Sequence, residues 1–211
     1  LHEAYYRPDN AVLVLTGDIT HEAGFALAQK AFGDWPRPAA PAPAQPVVTP
    51  RTTPRAVAVD IPGAGQAAVT VVRPAIPRSD PAYYTGLVAN SILGGGYSAR
   101  LNAEIRVKRG LSYGAGSSLT ARRNTGAFTA RAQTKNESAG EVLGLIREEM
   151  TRLASAPAAP EEIKARKSAL VGAFGRSLAT TDGLADILGD LALYDLPLDE
   201  IGRYAGRIEA V

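Results

Sequence analysis

The sequence predicts an α+β domain, a mainly antiparallel sheet with helices packed on one face. Three observations carry that expectation. After a proline-rich stretch the pattern runs two strand-like segments, two helical ones, two more strands and then helices, which is not the strict strand–helix alternation of a doubly wound fold. The second pair of strands is joined around Asn124, Thr125 and Gly126, residues suited to a hairpin turn. The helical segments carry apolar residues three or four apart, as at Val142, Ile146, Met150 and Leu153, so each has one face to bury.

Taken in order, "NAVLVLTGDIT" holds an apolar run from Ala11 to Leu15 closed by Thr16, Gly17 and Asp18, which predicts a buried strand. Thr20 then caps a helix through "HEAGFALAQKAF", with Phe25, Ala28 and Phe32 at helical spacing. Pro36, Pro38, Pro41, Pro43, Pro46, Pro50 and Pro54 deny the next segment both helix and ladder, which predicts an extended linker. The expected organisation is a strand–helix unit at 1–34, a proline-rich linker at 35–54 and the main domain at 55–211.

Within the main domain "RAVAVDI" and "QAAVTVVRP" alternate like strands. Asp80 and Pro81 start a helix through "AYYTGLVANSIL", which Gly94 to Gly96 stop. Ser98 caps a second helix, "ARLNAEIRVKR", which Gly110 ends, and "LSYGAGSSLTA" and "GAFTARAQT" form the hairpin. Ser138 with Glu141 three residues on forms a capping box for a long helix. Pro160 opens another, with Ile163, Leu170, Val171, Phe174 and Leu178 facing inward, and two shorter helices fill the chain to Val211.

Composition narrows the function. With 45% hydrophobic residues, the 211-residue chain can bury a core, and a net charge of +2 gives no global basic field to hold nucleic acid. The absence of cysteine excludes disulfides, thiolate metal sites and a cysteine nucleophile. No apolar run approaches the ~20 residues that span a bilayer. The chain opens "LHEAYYRPDN", with neither an initiator Met nor a signal peptide, and reads as a piece of a longer product.

His2 and His21 are the only histidines, nineteen positions apart, so the helical two-histidine pattern of a catalytic zinc is missing and no metal is expected in this chain. There is no G-x-S-x-G elbow, and Ser98 has no histidine partner in view. The adjacent pairs Glu148–Glu149 and Glu161–Glu162 point different ways on helices and read as solvated faces. In "LGGGYSARLNAEIRVKRGLSYG" the glycines follow a helix with no Gly-Lys pair, so Gly94, Gly95 and Gly96 read as a helix stop and turn rather than a phosphate cradle. Arg100, Arg106, Lys108 and Arg109 make a broad basic stripe flanked only by Tyr97 and Tyr113, and a nucleic-acid partner is not expected.

These residues carry a family resemblance. "SILGGGYSARLNAEIRVKRGLSYGAGS" resembles the second half of the inverzincin peptidases, the family of pitrilysin, insulin-degrading enzyme and mitochondrial processing peptidase. "YYRPDNAVLVLTGDIT", "AFGDWPRP", "QAAVTVVRPAIPRSDPAYYTGLVANSILGGG" and "PEEIKARKSALVGAF" agree with it in order, so the resemblance spans essentially the whole chain. It implies a metallopeptidase half-domain of the LuxS and processing-peptidase type, one of two similar α+β halves closing around a peptide. The zinc motif, H-x-x-E-H, would lie in the other half, on the same polypeptide or on a partner subunit. This chain would belong to a zinc metalloendopeptidase yet be inactive alone.

In the family an arginine and a tyrosine seven positions later reach the substrate from the second half; Arg106 and Tyr113 match them. Negative charge builds on the carbonyl oxygen during peptide hydrolysis, and a guanidinium and a phenol are suitable donors for it. Gly94, Gly95 and Gly96 match the short core of a substrate-handling glycine-rich loop in the processing peptidase. The resemblance also implies that 1–34 is the tail of the preceding half and that 55–211 lacks its own final strand–helix unit, so the first unit could fill that place in cis or in a swapped dimer. The rival implication is a catalytically silent scaffold or assembly subunit. By analogy with bacterial relatives the compartment would be the periplasm or cell envelope.

Overall fold

The structure is a computed structural model in which residues 2–44, 49 and 53–211 are described. In chain order its elements are α1 (His2–Tyr5), α2 (His21–Phe32), β1 (Ala67–Ala75), α3 (Tyr83–Leu93), α4 (Arg100–Asn102), β2 (Ala115–Ala121), β3 (Gly126–Thr134), α5 (Ala139–Ser155), α6 (Pro160–Leu178), α7 (Thr181–Leu193) and α8 (Glu200–Glu209). A π-helical turn, Ala103–Val107, continues α4 directly. Residues 45–48 and 50–52 of the expected linker lie outside the described residues, and 35–44 carry neither helix nor strand. The chain forms two compact units, residues 1–47 with 172–203 and residues 48–171 with 204–211.

In the second unit the strands pair antiparallel in the order β1-β3-β2. Val69 and Ala115 both stand opposite Ala132, and Val71 and Ser117 both stand opposite Ala130, so these side chains share a face. That face is covered: Val69, Ala130 and Ala132 pack with Leu93, Leu101, Ile105, Val142, Leu145 and Ile146. The intervening Thr70, Val72, Ser118 and Arg131 are exposed, as a half-covered antiparallel sheet requires. Leu101, Ile105 and Ile146 are fully buried, each contributing about 2 kcal/mol relative to exposure. A second cluster gathers Tyr84, Val88 and Ile92 of α3 with Ile208 of α8.

Most expected elements form. Thr20 accepts from Ala23 N (3.2 Å) and starts α2; the hairpin closes with Arg122 N donating to Thr125 O (2.8 Å); and Val142 and Ile146 are buried on α5. Two expected strands do not form. Ala11 to Leu15 and the "RAVAVDI" segment have no ladder partner among the described residues. Val12 is 70% exposed and Val59 77%. Both have strand composition, but a strand also needs an edge whose N–H and C=O groups complete its own. Phe25 and Phe32 of α2 are likewise exposed.

Three local expectations are also corrected. Ser98 does not cap the next helix, whose N-cap position is Ala99 with no side-chain bond; its carbonyl instead accepts from Arg166 Nη2 (2.6 Å). The capping box at Ser138 is absent, because Ser138 ends a 3-10 turn with φ −94° and ψ −1° rather than the extended backbone of a cap. Glu149 is buried, not solvated, and pairs with Arg152 at 3.1 Å.

Candidate functional site

The site grows from an irregularity in one helix. In the Ala103–Val107 turn Lys108 N donates to Ala103 O (3.0 Å), one residue beyond the α-helical partner. Ile105 in this turn is buried in the core, leaving Arg106 half-buried at its rim. Gly110 then takes φ +64°, a left-handed conformation that side chains disfavour. Gly110 N donates to Arg106 O (2.9 Å) and Leu111 N to Ile105 O (2.9 Å), so the chain doubles back over the end of the helix.

The return is held at both ends. Thr134 Oγ1 donates to Leu111 O (2.6 Å) from β3. Ser112 Oγ donates to Gly114 O (2.7 Å) and accepts from Gly114 N (3.1 Å), closing a small loop around Tyr113. The Arg106 guanidinium carbon consequently lies 4.7 Å from the centroid of the Tyr113 ring and 5.1 Å from that of Tyr97. Both rings are open to solvent, Tyr113 at 90% exposure and Tyr97 at 68%.

The other three basic residues of the stretch are neutralised. Arg100 meets Glu162 through two hydrogen bonds (2.9 and 2.6 Å), and that contact holds the Glu162 carboxyl below its usual range. Glu104 accepts from Lys108 Nζ (2.6 Å) and from Arg109 Nη1, and these bonds, the Lys108 one foremost, hold its carboxyl low as well. Arg106 has no carboxylate partner among the described residues. The basic run is therefore one free guanidinium beside two tyrosines rather than a charged stripe.

Gly94, Gly95 and Gly96 follow α3 on the same unit. Gly94 is buried, its carbonyl accepts from Ser117 N (3.0 Å), and a Cβ there would collide with the Ser117 backbone. A Cβ on Gly95 would come within 2.7 Å of Ser91 Cα, whereas Gly96 has only Arg166 Nη1 nearby at 3.9 Å. Two of the three glycines thus serve a close backbone approach. Asn102, which the sequence reading did not single out, is 3% exposed and bonds to both Tyr97 O (2.6 Å) and Ala115 N (3.3 Å).

No group of three or more His, Cys, Asp and Glu side chains among the described residues could hold a metal ion. His2 stacks on Tyr6 (centroids 4.9 Å apart) and His21 begins α2. The described residues do not fit a zinc site.

Residues 1–170 match the family described as the peptidase M16 inactive domain. The chain belongs to this family. This M16 inactive domain is 30% identical over 193 residues to an uncharacterized zinc protease of Streptomyces coelicolor, an alignment covering 89% of the chain and 42% of that protein. Its fold is similar to that of an M16 inactive domain from Pseudomonas fluorescens, with TM-score 0.78, 27% identity and coverage of 92% of this chain and 46% of that one. It is also similar in fold to a protease from Helicobacter pylori, with TM-score 0.90, 20% identity and coverage of 100% and 51%. The M16 inactive domain described here spans about half the length, or less, of these relatives. The family resemblance and the α+β fold expected from the sequence both hold.

Proposed function

We propose that this chain is the substrate-chamber half of a zinc-dependent peptidase, supplying Arg106 and Tyr113 to a peptide whose cleavage depends on a zinc site carried by another half. One observation carries the reading: of the four basic residues between Arg100 and Arg109, Arg106 alone has no carboxylate partner among the described residues, and it stands beside an exposed tyrosine. An arginine held by a carboxylate has up to two of its five N–H donors engaged and its charge offset. This one has donors in hand, and the Tyr113 hydroxyl is a second. Both can bind a peptide carbonyl and stabilise the charge that develops on its oxygen.

The exposed apolar residues support a matching division of the chain. In this reading residues 1–34 are the tail of the preceding half, 35–54 the linker, and 55–211 the second half. Val12, Leu13, Leu15, Phe25 and Phe32 in the first segment, and Val57, Val59 and Ile61 in the last, stand exposed and could pack against another half. The polypeptide that covers them is the zinc-binding half.

The test is reconstitution. A half carrying H-x-x-E-H from the same or a neighbouring reading frame is assayed on a fluorescence-quenched peptide with and without this chain. Hydrolysis that requires this chain, and fails when it carries Arg106→Ala and Tyr113→Phe together, supports the reading. Equal hydrolysis with wild-type and doubly substituted chains would leave a silent scaffold.

A further inference from the structure

We propose that Tyr97 and Asn102 are positioning residues for Arg106, the Tyr97 ring capping the guanidinium and the Asn102 amide fixing where that ring stands. The inference rests on the reading above, in which Arg106 contacts the peptide.

An arginine side chain has many rotamers, and the usual way to hold one is a carboxylate. A carboxylate would take up to two of its five N–H donors and offset the charge that favours a peptide oxygen. An aromatic ring attracts the cation while leaving those donors unspent. Arg106 has two such rings, at 4.7 and 5.1 Å, and among the described residues no carboxylate. Tyr113 is already held by the Ser112 loop. Tyr97 lies in the turn between α3 and α4, exposed, and needs a different hold.

Asn102 provides it. Its Nδ2 donates to Tyr97 O at 2.6 Å, and its Oδ1 accepts from Ala115 N at 3.3 Å, the first residue of β2 and two positions past Tyr113. One buried side chain therefore joins the two segments whose tyrosines meet at Arg106. Only an amide presents a donor and an acceptor together here; an aspartate would set an acceptor against the Tyr97 carbonyl, and a leucine would leave both backbone groups unpaired. The Gly94 carbonyl, accepting from Ser117 N at 3.0 Å, ties the same turn to β2 a second time.

The test uses the complete peptidase for kinetics and this chain for a direct reading of the guanidinium. Tyr97→Ala should lower kcat about twofold to fivefold, the worth of one exposed cation–π contact, while Tyr97→Phe stays near wild type. In an Arg106→Ala background Tyr97→Ala should have no further effect, since it acts through the missing group. Asn102→Ala should behave as Tyr97→Ala does. In the chain alone, the ring-shifted Arg106 Nε–H resonance should move in Tyr97→Ala and Asn102→Ala and hold in Tyr97→Phe. If Asn102→Ala does not fold, the Tyr97 pair still decides. Unchanged kcat in Tyr97→Ala, with loss in Arg106→Ala, overturns this inference and spares the proposed function. A Tyr97→Ala defect that persists without Arg106 also overturns it. Unchanged kinetics in Arg106→Ala overturns the proposed function itself.

Discussion

The guanidinium carbon of Arg106 stands 4.7 Å from the centroid of the Tyr113 ring, although the two residues are seven positions apart and Tyr113 follows the end of the helix that carries Arg106. Gly110 makes this possible, because its φ of +64° turns the chain back on itself. The pair presents an N–H donor and an O–H donor from one point of the surface. If both act on a developing oxyanion, Arg106→Ala lowers kcat by about 100-fold and changes KM little. Tyr113→Phe acts in the same direction. Steady-state kinetics on the complete peptidase checks both, and a rise in KM at constant kcat would mean simple binding.

The glycine-rich turn separates structure from contact. Gly94→Ala forces a methyl against the Ser117 backbone and should cost about 2 kcal/mol or more of stability. Gly96→Ala meets only the end of the Arg166 side chain at 3.9 Å and should stay within about 0.5 kcal/mol. Denaturant unfolding of the two variants reads the difference. Equal losses would mean that α3 and β2 do not approach as closely as the structure shows.

The Arg100–Glu162 contact predicts a pH dependence of stability. The Arg100 bonds lower the Glu162 pKa in the folded state from its ordinary value of 4.5. Its contribution is therefore complete above that value and is lost as pH falls through the depressed folded-state pKa. Glu162→Gln should cost about 1 kcal/mol at neutral pH, and the gap from wild type should close under acid conditions. Glu104 and Asp9, whose carboxyls are also held low, act with the same sign in both proteins and cancel from the difference. A gap that stays constant through the acid range would contradict the assignment.

Hydrogen exchange tests the division of the chain. The backbone of residues 11–15 and 55–61 has no ladder partner among the described residues, so its amides should exchange fast in this chain alone. Adding the zinc-binding half should slow residues 11–15 sharply if they complete its sheet. Unchanged exchange in a mixture that hydrolyses peptide would remove that segment from the interface.

Much of this architecture could be read from residue patterns. The Val142, Ile146, Met150 and Leu153 stripe, the turn at Asn124 to Gly126 and the cap at Thr20 are local signals, and the elements they mark are present. What failed depends on partners. Ala11 to Leu15 has strand composition, but no periodicity says which edge would receive it. Adjacency to Glu148 suggests a solvated Glu149, but Glu149 falls seven residues after Val142, on the same buried face. At the site, family resemblance rather than spacing pointed to Arg106 and Tyr113. Asn102 carried only a faint signal, an asparagine inside a helical run where its propensity is poor. Nothing in "ARLNAEIRVKR" distinguishes an α-turn from the π-turn that holds Arg106.

The most direct measurement of the central claim is inhibition by a phosphinic peptide that mimics the tetrahedral intermediate. Its Ki would be compared with kcat/KM across wild type, Tyr113→Phe, Arg106→Lys and Arg106→Ala. If Arg106 and Tyr113 stabilise the reacting oxygen, Ki rises in proportion as kcat/KM falls, because both report transition-state binding. A Ki that stays constant while kcat/KM falls would place these side chains away from the reacting carbonyl and contradict the account.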